Sequence, residues 1–294
     1  MLFRRARLVW LLVLAALCPP LHADSHPDWT TPIAPFKIAD NLYYVGSRDL
    51  ASYLITTPSG DILINSSLQS SPPLIERSIE QLGFHLSDVK ILLISHAHWD
   101  HDAGSAAILR RTHAKYMVMD ADVPVVESGG AKDPAYSATH YPKAHVGRVL
   151  HDGDQVTLGG VTLTAHKTPG HTAGCTTWTL QAVSGGKLRN VVIVGSWSVN
   201  SEFRLVDRPG HLATYPGIAA DFEHTFALLK SLPCDIFLGA HGGYFDMVAK
   251  LQRAQGGAGE SVWIDPEGYR EAVATHGAAF RAELAKEQQA AGQK

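Results

Sequence analysis

Residues 95–104, SHAHWDHDAG, limit most tightly what this chain can become. Three histidines and two aspartates fall within seven positions, directly after the apolar run VKILLIS. That run has the length and unbroken apolar character of a buried strand, and the polar cluster ends it abruptly. Residues two apart in an extended segment point the same way, so His96 and His98 can grip one ion. Asp100 and His101 fall at the turn into a following helix. They are displaced from the first pair and available to a second ion. Trp99 is expected to pack or to form a pocket wall. Asp102 is expected to be the N-cap of a helix starting at Ala103.

Zinc takes histidine nitrogen and carboxylate oxygen, usually four ligands in all, so two ions need more than this loop offers. TPGHTAGCT supplies His171, and GAHGGYF supplies His241 directly after the strand-like DIFL. Glycines beside both permit tight turns at strand ends. The first set is then His96, His98 and His171, and the second is Asp100, His101 and His241. Each leaves a coordination position for water, which marks a catalytic rather than a structural site. A histidine alone carries no such argument; the chain has 16, and the HxHxDH spacing is what singles these out.

The 294 residues, 45% hydrophobic and 18% charged, suit a globular protein. Acidic and basic residues nearly balance, at 28 and 25, with no Lys/Arg block, which argues against nucleic acid or an anionic membrane as the main partner. The N-terminus has three arginines, then an apolar run from Leu8 to Cys18, then Ala23 before Asp24. This is the order of a secretory signal peptide, and the run is too short to span a membrane comfortably. Residues 1–23 are read as a signal peptide, residues 24–294 as one mature domain, and the periplasm as its location. Cleavage leaves 22 basic against 28 acidic residues. In an oxidising compartment a Cys175–Cys234 disulfide is allowed.

Strand-like runs LYYVG, SYLITT and DILINS precede a helix in SPPLIERSIEQLGF; the buried strand, a helix in AGSAAILRRT and the strand AKYMVMD follow. A hairpin through Gly159-Gly160, the strands CTTWTLQAV and NVVIVGS, a helix over 217–232, the strand DIFLGAH and a helix over 266–289 complete the chain. That α+β mixture fits sheets covered by helices better than a closed barrel.

HxHxDH, then TPGH, then a last histidine after a strand resembles the metallo-β-lactamase superfamily over nearly all of the mature chain. The resemblance implies a four-layer αββα sandwich with two Zn2+ ions at one edge. Many hydrolases of the superfamily carry an Asp after the strand NVVIV, and another branch a Cys; here Gly195-Ser196 stands there. This resembles subclass B3, as do KYMVMD, LHDGD, HTAGCTTWT, GSWSVN and CDIFLGAH. The resemblance implies metal ligation by the six residues named above. It also implies catalytic orientation of water by Asp100 and substrate contacts at Ser196 and Ser198. The implied reaction is attack of metal-bound hydroxide on the β-lactam carbonyl of penicillins, cephalosporins and carbapenems by a monomer, conferring antibiotic resistance. NSEF replaces the usual NPGY, so Phe203 lacks a hydroxyl and Glu202 adds a charge. Tyr269 stands where a partner for Cys234 is common, and DRPGHLATYPG is longer than usual and is expected to reshape the rim. The competing readings are a di-zinc thioester or lactone hydrolase and a zinc-binding protein without catalysis.

Overall fold

The computed structural model describes residues 26–292; the expected signal peptide lies outside the described residues. Strands β1 (Phe36–Ala39), β2 (Leu42–Tyr44), β3 (Tyr53–Ile55) and β4 (Asp61–Ile64) form an antiparallel run. Helix α1 (Pro72–Gln81) then crosses to β5 (Val89–Leu93). Helices α2 (Trp99–Asp102) and α3 (Ser105–Thr112) lead to β6 (Lys115–Met119), and α4 (Val123–Ser128) precedes β7 (Arg148–Leu150). From β4 to β7 the neighbours are parallel, which completes a seven-stranded sheet in chain order. The second sheet comprises β8 (Gln155–Leu158), β9 (Val161–Lys167), β10 (Thr176–Ser184), β11 (Lys187–Val194) and, after α5 (Ile218–Ser231), β12 (Ile236–Gly239). β8 to β11 are antiparallel, and β12 lies parallel to β11 at the edge. Helices α6 (Met247–Arg253) and α7 (Pro266–Gly292) end the chain.

Side-chain alternation produces the layers. Ile62, Ile64, Ile91, Leu93, Met117 and Met119 face the second sheet, where Leu163, Ala165, Trp178 and Leu180 meet them. Their neighbours Leu63, Leu92, Ile94, Tyr116 and Val118 face the other way, onto Ile75 and Ile79 of α1, Ile108 of α3 and Val125 and Val126 of α4. This is the period-two pattern of strands buried on both faces. On the far side of the second sheet, Phe280 of α7 stacks on Phe222 and Phe226 of α5. The result is helix, sheet, sheet, helix, the α+β four-layer αββα sandwich of the metallo-β-lactamase fold.

The strands and helices read from the sequence are present, with five additions. β1, α2, β7, α4 and α6 are short, and their signals are weak. β7 has only three residues, and α4 has six, with Pro124 in its first turn and a left-handed Gly129 at its end. Asp102 is not the cap of the next helix. It ends α2, while α3 begins at Ser105 after Gly104. Its carboxyl instead lies buried in the outer core, where Oδ1 accepts the Tyr116 hydroxyl at 2.5 Å. Burial pushes the Asp102 carboxyl up to about 7.

Both sheets are tied together at one end. Trp178 Nε1 donates to Ile94 O at 3.0 Å, Thr176 N to Ser95 O at 2.7 Å, and Tyr53 Oη to Gly239 O at 2.7 Å. Ala51 N also donates to Ala240 O at 3.0 Å. These bonds hold the ends of β5, β10 and β12 beside one another, and the candidate ligands leave from those ends.

No helix of the described residues is long and apolar enough to cross a membrane. Cys175 and Cys234 are both free thiols, so the disulfide that the sequence allowed is not formed. Tyr269 packs edge-on against Phe237 and donates its hydroxyl to Leu229 O at 2.7 Å, filling the space beside Cys234 with a ring. Thiol titration of residues 24–294 in denaturant, without reductant, is therefore expected to find two reactive groups, and reductant is expected to leave the melting temperature unchanged.

Candidate metal centre

The chain leaves β5 through Ser95 and places His96 and His98 in extended conformation before α2 turns Asp100 and His101 beneath them. Asn65, in the left-handed region, accepts Ser95 N at Oδ1 (2.7 Å) and donates through Nδ2 to Ala51 O (3.1 Å). His171 arrives on the turn between β9 and β10, and His241 directly after β12. The His96, His98 and His171 rings stand 4.6–4.8 Å apart, and their ligand nitrogens lie within 4.8 Å of one another. His101 Nε2, His241 Nε2 and Asp100 Oδ2 are separated by 3.2, 3.3 and 3.5 Å. The edge of a tetrahedron around an ion with bonds of ~2.0–2.1 Å is about 3.3 Å.

The outer hydrogen bonds select which atom of each ring faces the ion. Asp133 Oδ2 lies 3.3 Å from His98 Nε2, leaving Nδ1. His171 Nδ1 donates to Ser198 O at 2.8 Å, and His241 Nδ1 to Asp49 Oδ2 at 2.8 Å, leaving Nε2 in both. Buried His96 Nε2 and His101 Nδ1 have no hydrogen-bond partner. A buried polar atom without a partner costs about 1–3 kcal/mol, and for His96 Nε2 a cation in the first set removes that cost. The donor set thus fits two ions, three neutral nitrogens for one and a carboxylate with two imidazoles for the other.

Electrostatics favour these protonation states at His96, His171, His101 and Asp100 and oppose them at His241. Burial, reinforced by neighbouring histidines, holds His96 and His171 well below the ordinary imidazole range, and burial lowers His101. Burial would raise Asp100, but His101 and His241 outweigh it and keep the carboxylate well below its usual range. For His241, burial is outweighed by Tyr244, Asp100 and Asp49, and the ring holds its proton more tightly than usual. A metal entering the second set therefore displaces that proton.

Three acids that the sequence reading did not single out organise this site. Asp133 and Asp49 orient His98 and His241, as outer carboxylates do for metal-bound imidazoles. Asp122, after β6, joins the two ligand loops. Its Oδ2 accepts Ala97 N and Thr172 Oγ1, both at 2.9 Å, and its Oδ1 accepts Gly174 N at 2.9 Å. Gly174 is needed for this approach, since a Cβ there would stand 2.5 Å from Asp122 N. Asp122 could have been suspected from its place after the strand KYMVM. Nothing in the local sequence marks Asp49 or Asp133.

A cavity of about 740 Å³ opens above both sets, walled by Trp29, Leu68, Trp99 and Tyr136. Asp100, His98, His171, His241 and Ser198 line it. Ser196 does not; it is buried, its Oγ 3.0 Å from Tyr244 Oη and accepting Ser198 N at 3.3 Å. The substrate contact expected of Ser196 is thus replaced by support of its neighbours. The long segment 207–217 also stays out of the lining. It folds back through paired Arg208 and His211 backbones, while buried Glu287 of α7 accepts Leu205 N and Val206 N.

Asp133→Asn is expected to lower metal affinity about 10–100-fold, measured with added zinc by competition with a chromogenic chelator. Burial pushes Asp122 up to about 6, above its unfolded value of 3.8. Its protonated form is therefore favoured by folding. That stability is full below about pH 4 and lost as pH rises through about 6. Urea denaturation of the metal-free protein is expected to show this falling limb, and Asp122→Asn to remove up to about 3 kcal/mol of it.

The family model for the metallo-beta-lactamase superfamily matches residues 48–241. The FEZ-1 metallo-beta-lactamase from Legionella gormanii is 51% identical, with a TM-score of 0.84 over 88% of this chain and 98% of that one. BJP-1, a subclass B3 metallo-beta-lactamase of Bradyrhizobium japonicum, is 36% identical, with a TM-score of 0.81 over 90% of this chain and 98% of that one. A UPF0173 metal-dependent hydrolase of Anaeromyxobacter sp. (strain K) is 34% identical over 29% of this chain, and the chain spans 30% of that relative's length. With its ligand geometry, its family match and its likeness to these structures, the chain belongs to the metallo-β-lactamase superfamily, within subclass B3, and is a metal-dependent hydrolase.

Proposed function

We propose that this enzyme hydrolyses the β-lactam ring of penicillins, cephalosporins and carbapenems with two zinc ions, as an exported monomer of residues 24–294 acting in the periplasm and conferring resistance to these drugs. The observation that carries the reading is the pair of adjacent ligand sets on the floor of one cavity, His96, His98 and His171 beside Asp100, His101 and His241.

Zinc in these sets supplies activation of water and polarisation of a carbonyl oxygen. The remaining chemistry belongs to the chain. Asp100 Oδ2 is directed at His101 and His241, so Oδ1 is left to orient the attacking water by accepting its hydrogen bond. Its depressed affinity for protons keeps it ionised for that role at neutral pH. Ser198 Oγ, 3.2 Å from Tyr244 Oη, offers a hydroxyl to the substrate carboxylate. Trp99 and Tyr136, in edge contact at 5.1 Å, exclude water along one wall. Phe203 is buried against His171 and Tyr136, and its ring gives no donor to a developing oxyanion. No serine is needed as nucleophile.

The end of β11 separates this reading from a thioester or lactone hydrolase. Those relatives place an Asp there to bridge two metals. Here a Cβ on Gly195 would stand 2.3 Å from Thr176 O, and the buried Ser196 holds the Tyr244 hydroxyl and Ser198 N. No acid reaches the floor from this strand.

A chromogenic cephalosporin is expected to be turned over, with activity lost to chelator and restored by zinc, and with about two zinc ions per chain in the active sample. His171→Ala is expected to lower kcat/KM by about a thousandfold or more. Faster turnover of a thioester or lactone, or tightly held zinc with no turnover, would overturn the proposal.

A further inference from the structure

The cavity is lined by acidic side chains. Among the described residues lining it there is no lysine or arginine, while Asp49, Asp100 and Glu202 all line it. Asp49 and Asp100 are committed to His241 and His101. Glu202 is not committed to any cation, and no ion pair to it is formed among the described residues. It sits exposed on the turn closed by Phe203 N donating to Asn200 O at 3.0 Å. Its Oε2 accepts the Tyr136 hydroxyl at 3.1 Å, and Asn200 Nδ2 donates to that hydroxyl at 2.8 Å. The Tyr136 ring stands edge-on to His98 at 5.0 Å. One tyrosine's length thus separates the Glu202 carboxylate from the first ligand set.

The two ends of the cavity differ in charge chemistry. Ser198 and Tyr244 hydroxyls gather near His241 and suit a carboxylate. The Glu202 end, beyond Tyr136 and His98, offers a fixed negative charge and aromatic walls, with Asn200 and Ser201 as its neutral polar neighbours. A β-lactam seated with its ring carboxylate at the first end presents its acyl side chain to the second. We propose that Glu202 is a specificity-determining residue that favours β-lactams carrying a cationic group on the acyl side chain over their uncharged analogues; this rests on the β-lactamase reading above. Its own backbone N–H, then Tyr136, keep the carboxyl below the usual range, so the charge is present at working pH.

A solvated charge a few ångströms from an ammonium is worth a several-fold preference. Ampicillin and benzylpenicillin differ by one α-ammonium and form the test pair. At pH ~6.5, below the ~7.7–8 of an α-amino group, the first carries that charge. The readouts are the ampicillin-to-benzylpenicillin ratio of kcat/KM for the zinc-loaded enzyme, and calorimetric dissociation constants of the two ring-opened products, which require no turnover. In Glu202→Gln, which keeps an acceptor for Tyr136, both preferences are expected to fall about three- to tenfold, and in Glu202→Lys further. The wild-type preference is also expected to shrink with added salt. Simple loss of the Tyr136 contact would weaken both penicillins alike and leave the ratio unmoved. Ratios unchanged within twofold across both variants and across salt would overturn the proposal, while wild type opening neither penicillin would overturn the β-lactamase reading beneath it.

Discussion

Imidazole rings crowded together out of water cannot all carry protons. His96, His98, His101 and His171 are buried, with neighbouring ring centroids 4.3–4.8 Å apart. Two positive charges at such a spacing repel strongly where dielectric is low. Burial and mutual proximity hold His96 and His171 neutral, and a neutral buried nitrogen without a partner is itself costly. A cation in the first set satisfies both demands, since it takes the lone pairs and requires the rings to be unprotonated. The strand ends, the sharp turns and the outer carboxylates are all arranged to sustain that strained local balance.

That balance needs ligands from distant parts of the chain to hold their places before any ion arrives. The fold provides this by hydrogen-bonding backbone to backbone and backbone to buried acid. Asp122 takes its three donors from the two loops that carry His96, His98 and His171, so neither loop moves independently of the other. Gly170, at φ +131°, makes the sharp turn ahead of His171 in a region where a side chain would meet Phe222. His241 is tied through Asp49 to the loop between β2 and β3, which reaches β12 through Ala51. Rigid strand ends carrying functional loops are the general solution to such a demand.

What the sequence made legible was the part encoded by spacing. HxHxDH after an apolar run, and glycine-flanked histidines after later runs, carry their meaning locally, because extended and turn geometry act over a few residues. That sheets are covered by helices was legible from the order of runs, but the four-layer order followed only from the resemblance, because DILI, VKILL and KYMVM are buried on both faces and show no apolar-polar alternation. Asp49 and Asp133 were not legible. Each is an ordinary loop aspartate until the chain brings it 2.8 or 3.3 Å from a histidine many positions away. Asp102 misled for a related reason. An aspartate at a helix start reads as a cap, but a buried tyrosine from a neighbouring strand offered it a stronger partner. Ser196 follows β11 as expected but is buried, and its hydroxyl meets the cavity through Tyr244, a contact that its position in the chain does not reveal.

The floor and the mouth of the cavity are therefore held by different means. Substitution on the floor leaves a buried group without its partner, which costs far more than a lost surface contact. At the mouth, Glu202 is solvated, and the Asn200–Phe203 turn is closed by its own backbone. The segment just beyond it is anchored on Glu287, well away from the ligands. Replacing a tyrosine by Phe203 or adding the Glu202 charge leaves the imidazole cluster intact, since neither residue bonds to a ligand nitrogen. The chemistry that the floor performs and the substrates that the mouth admits can thus vary separately, and the NSEF turn is where this chain departs from the usual pattern without disturbing its metal centre.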